Sequence, residues 1–394
     1  MLEFAKAASR LDLVSPSGLR AFFDLGAQLA AKGVDVISLG LGDLDLPLPK
    51  IIEKAIITAI KQGHVRYTSN KGIPELRLAI AERYKKTFGL KYAWDEEVLV
   101  TVGALEGLLD IMLGLLNPGD RVLVQEPAFG YFQNQALLAG AQVEQIPLGP
   151  RFDLDVDRYA EALNQRKTKM FVINSPCNPT GSIASRSKVL ELVELARDHN
   201  CLVVSDEAYE FLRFDGKSHT CAAEACQDNV IIVNSFSKCF IMTGLRLGYV
   251  VAPASIMKSI AQIHQYNTAC AAAPIQEAAT VALRDPQAMH AFIKRNLAVL
   301  NKRRKTAIEH FTKIPGLSLP YEPLGAFYLF PSCKGTGLSG FDFATKVLNE
   351  AGVIVIPGDN FGNSFADSVR ISYSSAPANR LLEAASRITH LTEN

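Results

Sequence analysis

The sequence predicts an α/β protein: a large domain with a mostly parallel sheet flanked by helices, plus a smaller α+β domain. Three observations carry this. Six short apolar runs rich in β-branched residues each stop abruptly at glycine or polar residues, as strands buried on both faces do. Helical patterns fall between several of these runs, and alternating strand and helix builds a sheet covered on both sides. The last hundred residues then change character, with one long helical pattern followed by short strands. The 394 residues suggest two or three domains, at roughly 150 residues each.

Taken in order, the runs lie at 98–102, 121–124, 170–173, 201–204, 230–233 and 247–251. The first stops at Gly103, the second at Gln125-Glu126-Pro127, the third at Asn174-Ser175-Pro176. The fourth stops at Ser205-Asp206-Glu207, the fifth at Asn234-Ser235-Phe236 and the sixth at Ala252-Pro253. Helices are expected at 104–116, ended by the turn residues Asn117-Pro118-Gly119-Asp120, and at 185–199, opened by Ser185 as a cap. The tail reads as a helix at 286–314, strands at 327–330, 353–356 and 369–373, a helix at 341–351 and a final helix. Residues 1–45 are too few to stand alone and are expected to pack with the small domain. The large domain then spans 46–285 and the small one 286–394.

Composition excludes several functions. Hydrophobic residues make 48% of the chain and charged residues 21%, which are globular proportions. With 41 basic and 40 acidic residues there is no broad field for nucleic acid or anionic lipid. The seven cysteines form no C-x-x-C pair, which fits reduced thiols in a cytoplasmic protein. No signal peptide opens the chain and no run of about 18 apolar residues could span a membrane. The histidines have no metal-ligand spacing, so no metal is expected. Gly335-Thr336-Gly337-Leu338-Ser339-Gly340 fits a dinucleotide pattern, but Pro331 intervenes after the strand and nothing else supports a nicotinamide.

In sheets of this kind, ligands bind beyond the carboxyl ends of the strands. Those ends supply Gly103, Ala104 and Leu105; Phe129; Asn178; Asp206 and Tyr209; Ser235, Ser237 and Lys238; then Arg246. Singly, each has an ordinary reading: Asp206 as a helix cap, Phe129 as a core residue, Lys238 as a solvated amine. Together they are harder to dismiss. Gly103-Ala104-Leu105 opens a helix, where free N–H groups attract a phosphate. Ser235 adds a hydroxyl and Arg246 a bidentate fork.

The segment Asn234-Ser235-Phe236-Ser237-Lys238, followed by Gly244-Leu245-Arg246-Leu247-Gly248, closely resembles the lysine motif of fold-type I pyridoxal-phosphate aminotransferases. Asn178-Pro179-Thr180-Gly181 resembles the family's Asn-Pro-x-Gly loop. Asp206-Glu207-Ala208-Tyr209 resembles its Asp-x-x-Tyr motif, and Arg370 its substrate-carboxylate arginine. The matches run in order over nearly the whole chain. The resemblance implies pyridoxal 5'-phosphate held as a Schiff base on Lys238. It implies Asp206 beside the pyridine nitrogen, Tyr209 and Asn178 on the ring oxygen, and Phe129 stacked on the ring. Gly103, Ala104, Leu105, Ser235, Ser237 and Arg246 would surround the phosphate. Tyr67 would reach the phosphate of a neighbouring subunit, making a homodimer with a shared active site; its alternative is a surface tyrosine beside a turn. Gly40, Asn178 and Arg370 would meet the substrate carboxylate, although Gly42 stands where the family often has proline.

The implied activity is transamination between an amino acid and a 2-oxo acid, with 2-oxoglutarate as acceptor. Lys238, once displaced from the cofactor, could shuttle the substrate's α-proton. Some aspartate-specific relatives carry lysine at the position of Leu105. A leucine cannot pair with a second carboxylate, so neutral, aromatic or aliphatic amino acids are expected. Aspartate stays an alternative, as do C–S β-elimination or decarboxylation on the same fold, and a binding or regulatory protein that retained the pocket.

Overall fold

The structure is a computed structural model and describes residues 7–14 and 18–393. After β1 (Ile37–Ser38) comes the large sheet: β2 (Val98–Thr101), β3 (Arg121–Glu126), β4 (Gln142–Pro147), β5 (Met170–Asn174), β6 (Leu202–Asp206), β7 (Val230–Ser235) and β8 (Gly248–Val251). Their spatial order is β2-β8-β7-β6-β5-β3-β4. Only β8 is reversed, running antiparallel to both β7 and β2.

Successive side chains on these strands bury on opposite faces. Val122, Val124, Val172, Val204 and Ile231 pack with Leu108, Met112 and Met257 on one side. Leu123, Phe171, Val203 and Ile232 pack with Tyr84, Tyr159 and Leu192 on the other. Burial on both sides explains why the strands read as unbroken apolar runs. Strand β4 escapes that rule. It is an edge strand with the half-exposed sequence Gln-Val-Glu-Gln-Ile-Pro, so it offers no apolar run and was not among the expected strands.

The expected helices at 104–116 and 341–351 are Ala104–Leu115 and Gly340–Ala351, and two others also shift at their ends. The helix expected at 185–199 runs Arg186–Asp198, and the Ser185 hydroxyl donates to Asp153 instead of capping it. The helix expected at 286–314 runs Pro286–Phe311, capped by Asp285 accepting from the Ala288 N–H at 3.0 Å.

The remaining strands are β9 (Tyr328–Leu329), β10 (Val353–Ile354), β11 (Ile356–Pro357) and β12 (Val369–Ser372). The single strand expected at 353–356 is two, because its halves take different partners. β10 pairs with β1, and β11 pairs with β12, which pairs in turn with β9. The N-terminal residues meet this region: Phe22 stacks edge-on with Phe341 at 5.9 Å, and Asp35 pairs with Arg380 and Arg387. The glycine-rich stretch at 335–340 runs from a short 3-10 turn into the start of a helix. Gly335 packs on Gly316, and Ser339 caps the Gly340–Ala351 helix by accepting from the Asp342 N–H. Among the described residues no helix is long and apolar enough to cross a membrane.

Candidate active site

The carboxyl ends of β3, β5, β6 and β7 share one edge of the sheet. They open on a cavity of about 410 Å³. Ala104, Leu105, Phe129, Asn178, Asp206, Tyr209, Ser235, Ser237, Lys238, Arg246 and Arg370 all line it. Gly103 and Gly40 stand one layer behind. Tyr67 lies outside it, 90% exposed.

The reversal of β8 explains how Lys238 and Arg246 meet. Ser235 at the end of β7 pairs with Gly248 at the start of β8, and the Phe236 N–H donates to the Leu247 carbonyl. The intervening residues form a loop closed at its base, which returns Arg246 to the same strand end as Lys238. Arg246 then lies against Gly103, where a Cβ would sit 2.5 Å from Nη2. Gly103 also has φ of 78°, a conformation that favours glycine. The turn opens the Ala104–Leu115 helix, whose first residues Ala104 and Leu105 line the cavity together with Ser235, Ser237 and Arg246. This part of the cavity can hold a phosphate.

Behind that turn is a charge cluster that sequence spacing did not reveal. Glu106 accepts from the Val102 N–H at 2.8 Å and lies 2.6 Å from Nδ1 of His264; Asp110 is 3.4 Å from the same nitrogen. Burial opposes charging His264, but the two carboxylates outweigh it and raise its pKa to about 9. These three are the grouping with metal-ligand chemistry among the described residues. At 2.6 Å, Nδ1 and Glu106 are a bonded pair with no room for an ion between them. The cluster joins the Ala104–Leu115 helix to the Ala254–Asn267 helix.

Asp206 is buried, and its Oδ1 accepts from the Ala208 N–H at 3.0 Å. Burial pushes its pKa up to about 6, against that bond. No described side chain donates to its other oxygen. Lys238 donates from Nζ to the Gly42 carbonyl at 2.5 Å. Burial, then the nearby Arg370 and Arg246 charges, lower its pKa to about 8, with Asp43 opposing. The amine is therefore neutral in a sizeable fraction near pH 8 and available as a nucleophile or base.

Arg370 is 1% exposed. Its Nη1 donates to Asn178 Oδ1 at 2.8 Å and its Nη2 to the Gly40 carbonyl at 2.5 Å. This bond places the Gly40 backbone beside Arg370, two residues before Gly42. The guanidinium lies over the rings of Tyr328 and Phe361, at 4.6 and 4.8 Å. No described carboxylate pairs with it. A buried cation without a counter-ion is costly, and a substrate carboxylate would supply one.

A scan against family models matches residues 34–388 to aminotransferase class I and II. The chain belongs to that family. An aspartate aminotransferase of Pyrococcus horikoshii is 38% identical over 98% of this chain and 97% of its own length. An aromatic-amino-acid aminotransferase 2 of Thermococcus litoralis is 34% identical over 97% of each. Among solved structures, an aspartate aminotransferase from Thermus thermophilus with maleate has a TM-score of 0.93 and 32% identity, covering 98% of this chain and 100% of that one.

This aminotransferase uses pyridoxal 5'-phosphate, the family's cofactor. Its residues fit the group. Asp206 has a free carboxylate oxygen where a ring cation would be welcome, the Gly103 turn is a cradle that any Cβ would fill, and Lys238 is a buried amine. Asn174, Tyr328, Thr243 and the N-terminal helix residues Arg20, Phe23 and Asp24 line the same cavity and were not among the expected site residues. Asn174 directly ends the third apolar run, so the strand-end rule could have found it. Tyr328 and the helix residues come from distant segments and carried no local signal.

Proposed function

We propose that this aminotransferase is a homodimer acting on neutral, aromatic or aliphatic amino acids, with 2-oxoglutarate as acceptor. When bound, the cofactor supplies an electron sink that acidifies the substrate's α-carbon. Lys238 Nζ would hold the cofactor and afterwards carry the α-proton. Asp206 would keep the pyridine nitrogen protonated, with Tyr209 and Asn178 on the ring oxygen and Phe129 over the ring face. Gly103, Ala104, Leu105, Ser235, Ser237 and Arg246 would hold the phosphate. Arg370, backed by Asn178 and Gly40, would orient the substrate carboxylate.

The observation that carries this reading is the uncompensated pair of charges across one cavity. Arg370 lacks an anion and Asp206 faces the cavity with an unbonded oxygen, and Lys238 is within reach of both fields. The substrate preference rests on the wall, where Leu41, Leu105, Leu108, Phe23 and Tyr131 are apolar. An aspartate reading is favoured by Arg20, which lines the same cavity and has no described partner, and by the aspartate aminotransferases among the similar proteins. The dimer is supported by two exposed tyrosines, Tyr67 at 90% and Tyr266 at 83%. Their segments are tied by the Asn70 side chain donating to the Ala269 carbonyl. A reduced, cytoplasmic setting is supported by seven unpaired cysteines. The division at 45 and 285 belongs to the same proposal, supported by the β1–β10 pairing.

A panel of amino acids with 2-oxoglutarate, read as glutamate formed, tests the substrate class. Rates for phenylalanine, tyrosine or leucine above that for aspartate are expected; aspartate far ahead would reverse the preference. Pyruvate released from cystathionine without an acceptor would favour a lyase.

A further inference from the structure

We propose that Tyr328 is a positioning residue that couples the two ends of the reacting centre: its hydroxyl sets the donor strength of Tyr209, and its ring holds Arg370. This rests on the reading of Tyr209 and Arg370 given under Proposed function.

Tyr328 is 1% exposed and Tyr209 is 6% exposed. Their hydroxyl oxygens are 2.9 Å apart, and this is the partner that each hydroxyl has within the chain. A phenol carries one proton. If Tyr209 gives its proton to the cofactor's ring oxygen, it can only accept from Tyr328. The direction of the chain is then fixed by counting: Tyr328 donates to Tyr209, and Tyr209 donates to the ring. Donation into a hydroxyl polarises its own O–H, so successive bonds strengthen each other by about 10–30% in a low-dielectric site. Burial raises the pKa of both phenols, so both protons stay in place across the working pH range. Gly42 closes the pocket around the Tyr328 hydroxyl, since a Cβ there would overlap it.

The second half of the residue does a different job. The Tyr328 ring lies 4.6 Å from the Arg370 guanidinium carbon, and the Phe361 ring lies 4.8 Å from it. The two aromatic faces confine a guanidinium that would otherwise be free to swing away from Asn178 and Gly40. One side chain therefore touches the arginine through its ring and the tyrosine through its oxygen. The two roles are separable by substitution.

The test compares Tyr328→Phe, Tyr328→Leu, Tyr209→Phe and the double Phe variant, each as the cofactor-loaded enzyme. One readout is the pH midpoint of the bound cofactor's visible absorption. A donor on the ring oxygen stabilises its negative charge and loosens its hold on the neighbouring proton, so a weaker donor moves the midpoint up. Tyr328→Phe should move it up by roughly a tenth to a third of the Tyr209→Phe shift. The double variant should shift no further than Tyr209→Phe alone, because the Tyr328 hydroxyl acts only through Tyr209. The other readout is the split between KM and kcat. Tyr328→Phe should keep the wild-type KM for the amino acid, whereas Tyr328→Leu should raise it several-fold. A midpoint unchanged in Tyr328→Phe but moved in Tyr209→Phe would overturn the proposal while leaving the reading of Tyr209 intact. A midpoint unmoved in Tyr209→Phe would overturn both. An equal KM in the Phe and Leu variants would remove the role of the ring.

Discussion

Replacing Arg370 by lysine should cost substrate binding without loosening the cofactor. The guanidinium spends one N–H on Asn178 and one on Gly40, and its Nε has no partner. A lysine ammonium keeps the charge but has no planar fork, so it cannot satisfy Asn178, Gly40 and a carboxylate together. Losing one charge-assisted hydrogen bond costs about 1.5–3 kcal/mol. At about 1.4 kcal/mol per tenfold, that is about a 10- to 150-fold fall in kcat/KM for an amino acid. The loss should fall mainly on KM, because the carboxylate is held alike in the ground and transition states. The assay is the first half-reaction followed by cofactor absorbance over a range of amino-acid concentrations. Wild-type absorbance before substrate is added would show that the cofactor is retained. A kcat/KM within twofold of wild type would refute the assignment of Arg370 to the substrate carboxylate.

Three further substitutions have defined outcomes. Leu105→Lys should raise kcat/KM for aspartate relative to leucine by about tenfold or more, one charge-assisted bond being gained; an unchanged ratio would detach Leu105 from specificity. Gly103→Ala forces a left-handed backbone on a residue with a Cβ and pushes on Arg246. Its strain of about 1–2 kcal/mol should weaken cofactor retention roughly 5- to 30-fold, measured as the dissociation constant of the cofactor. His264 has its folded pKa raised to about 9, above an unfolded value of about 6.5. Its stabilisation is therefore complete below about pH 6.5 and is lost as pH rises through 9, with a size on the order of 3 kcal/mol. Melting temperature should fall across that window in wild type and less so in His264→Gln; parallel curves would contradict the charge cluster.

Much of the sheet and of the cavity lining was readable from sequence, for a shared physical reason. Strands buried on both faces must be continuous apolar runs, and the residues that follow them must sit at one sheet edge. That logic reaches Asp206, Tyr209, Ser235 and Lys238 without long-range information, and the motif resemblance adds Asn178, Arg246 and Arg370. It fails for β4, whose exposed edge tolerates glutamine and glutamate. It fails for Tyr328 as well, which meets Tyr209 across 119 positions of sequence. His264 looks like any core histidine until the Ala254–Asn267 helix brings it to Glu106, 158 positions away. Such partners are set by tertiary packing, and no local period encodes them.

Borohydride reduction of the pyridoxal-phosphate-loaded enzyme, followed by proteolysis and mass spectrometry, tests the attachment at Lys238 most directly. A reduced pyridoxyl phosphate on the peptide containing Lys238, and on that lysine alone, is the result expected. The same adduct on another lysine, with Lys238 unmodified, would contradict it.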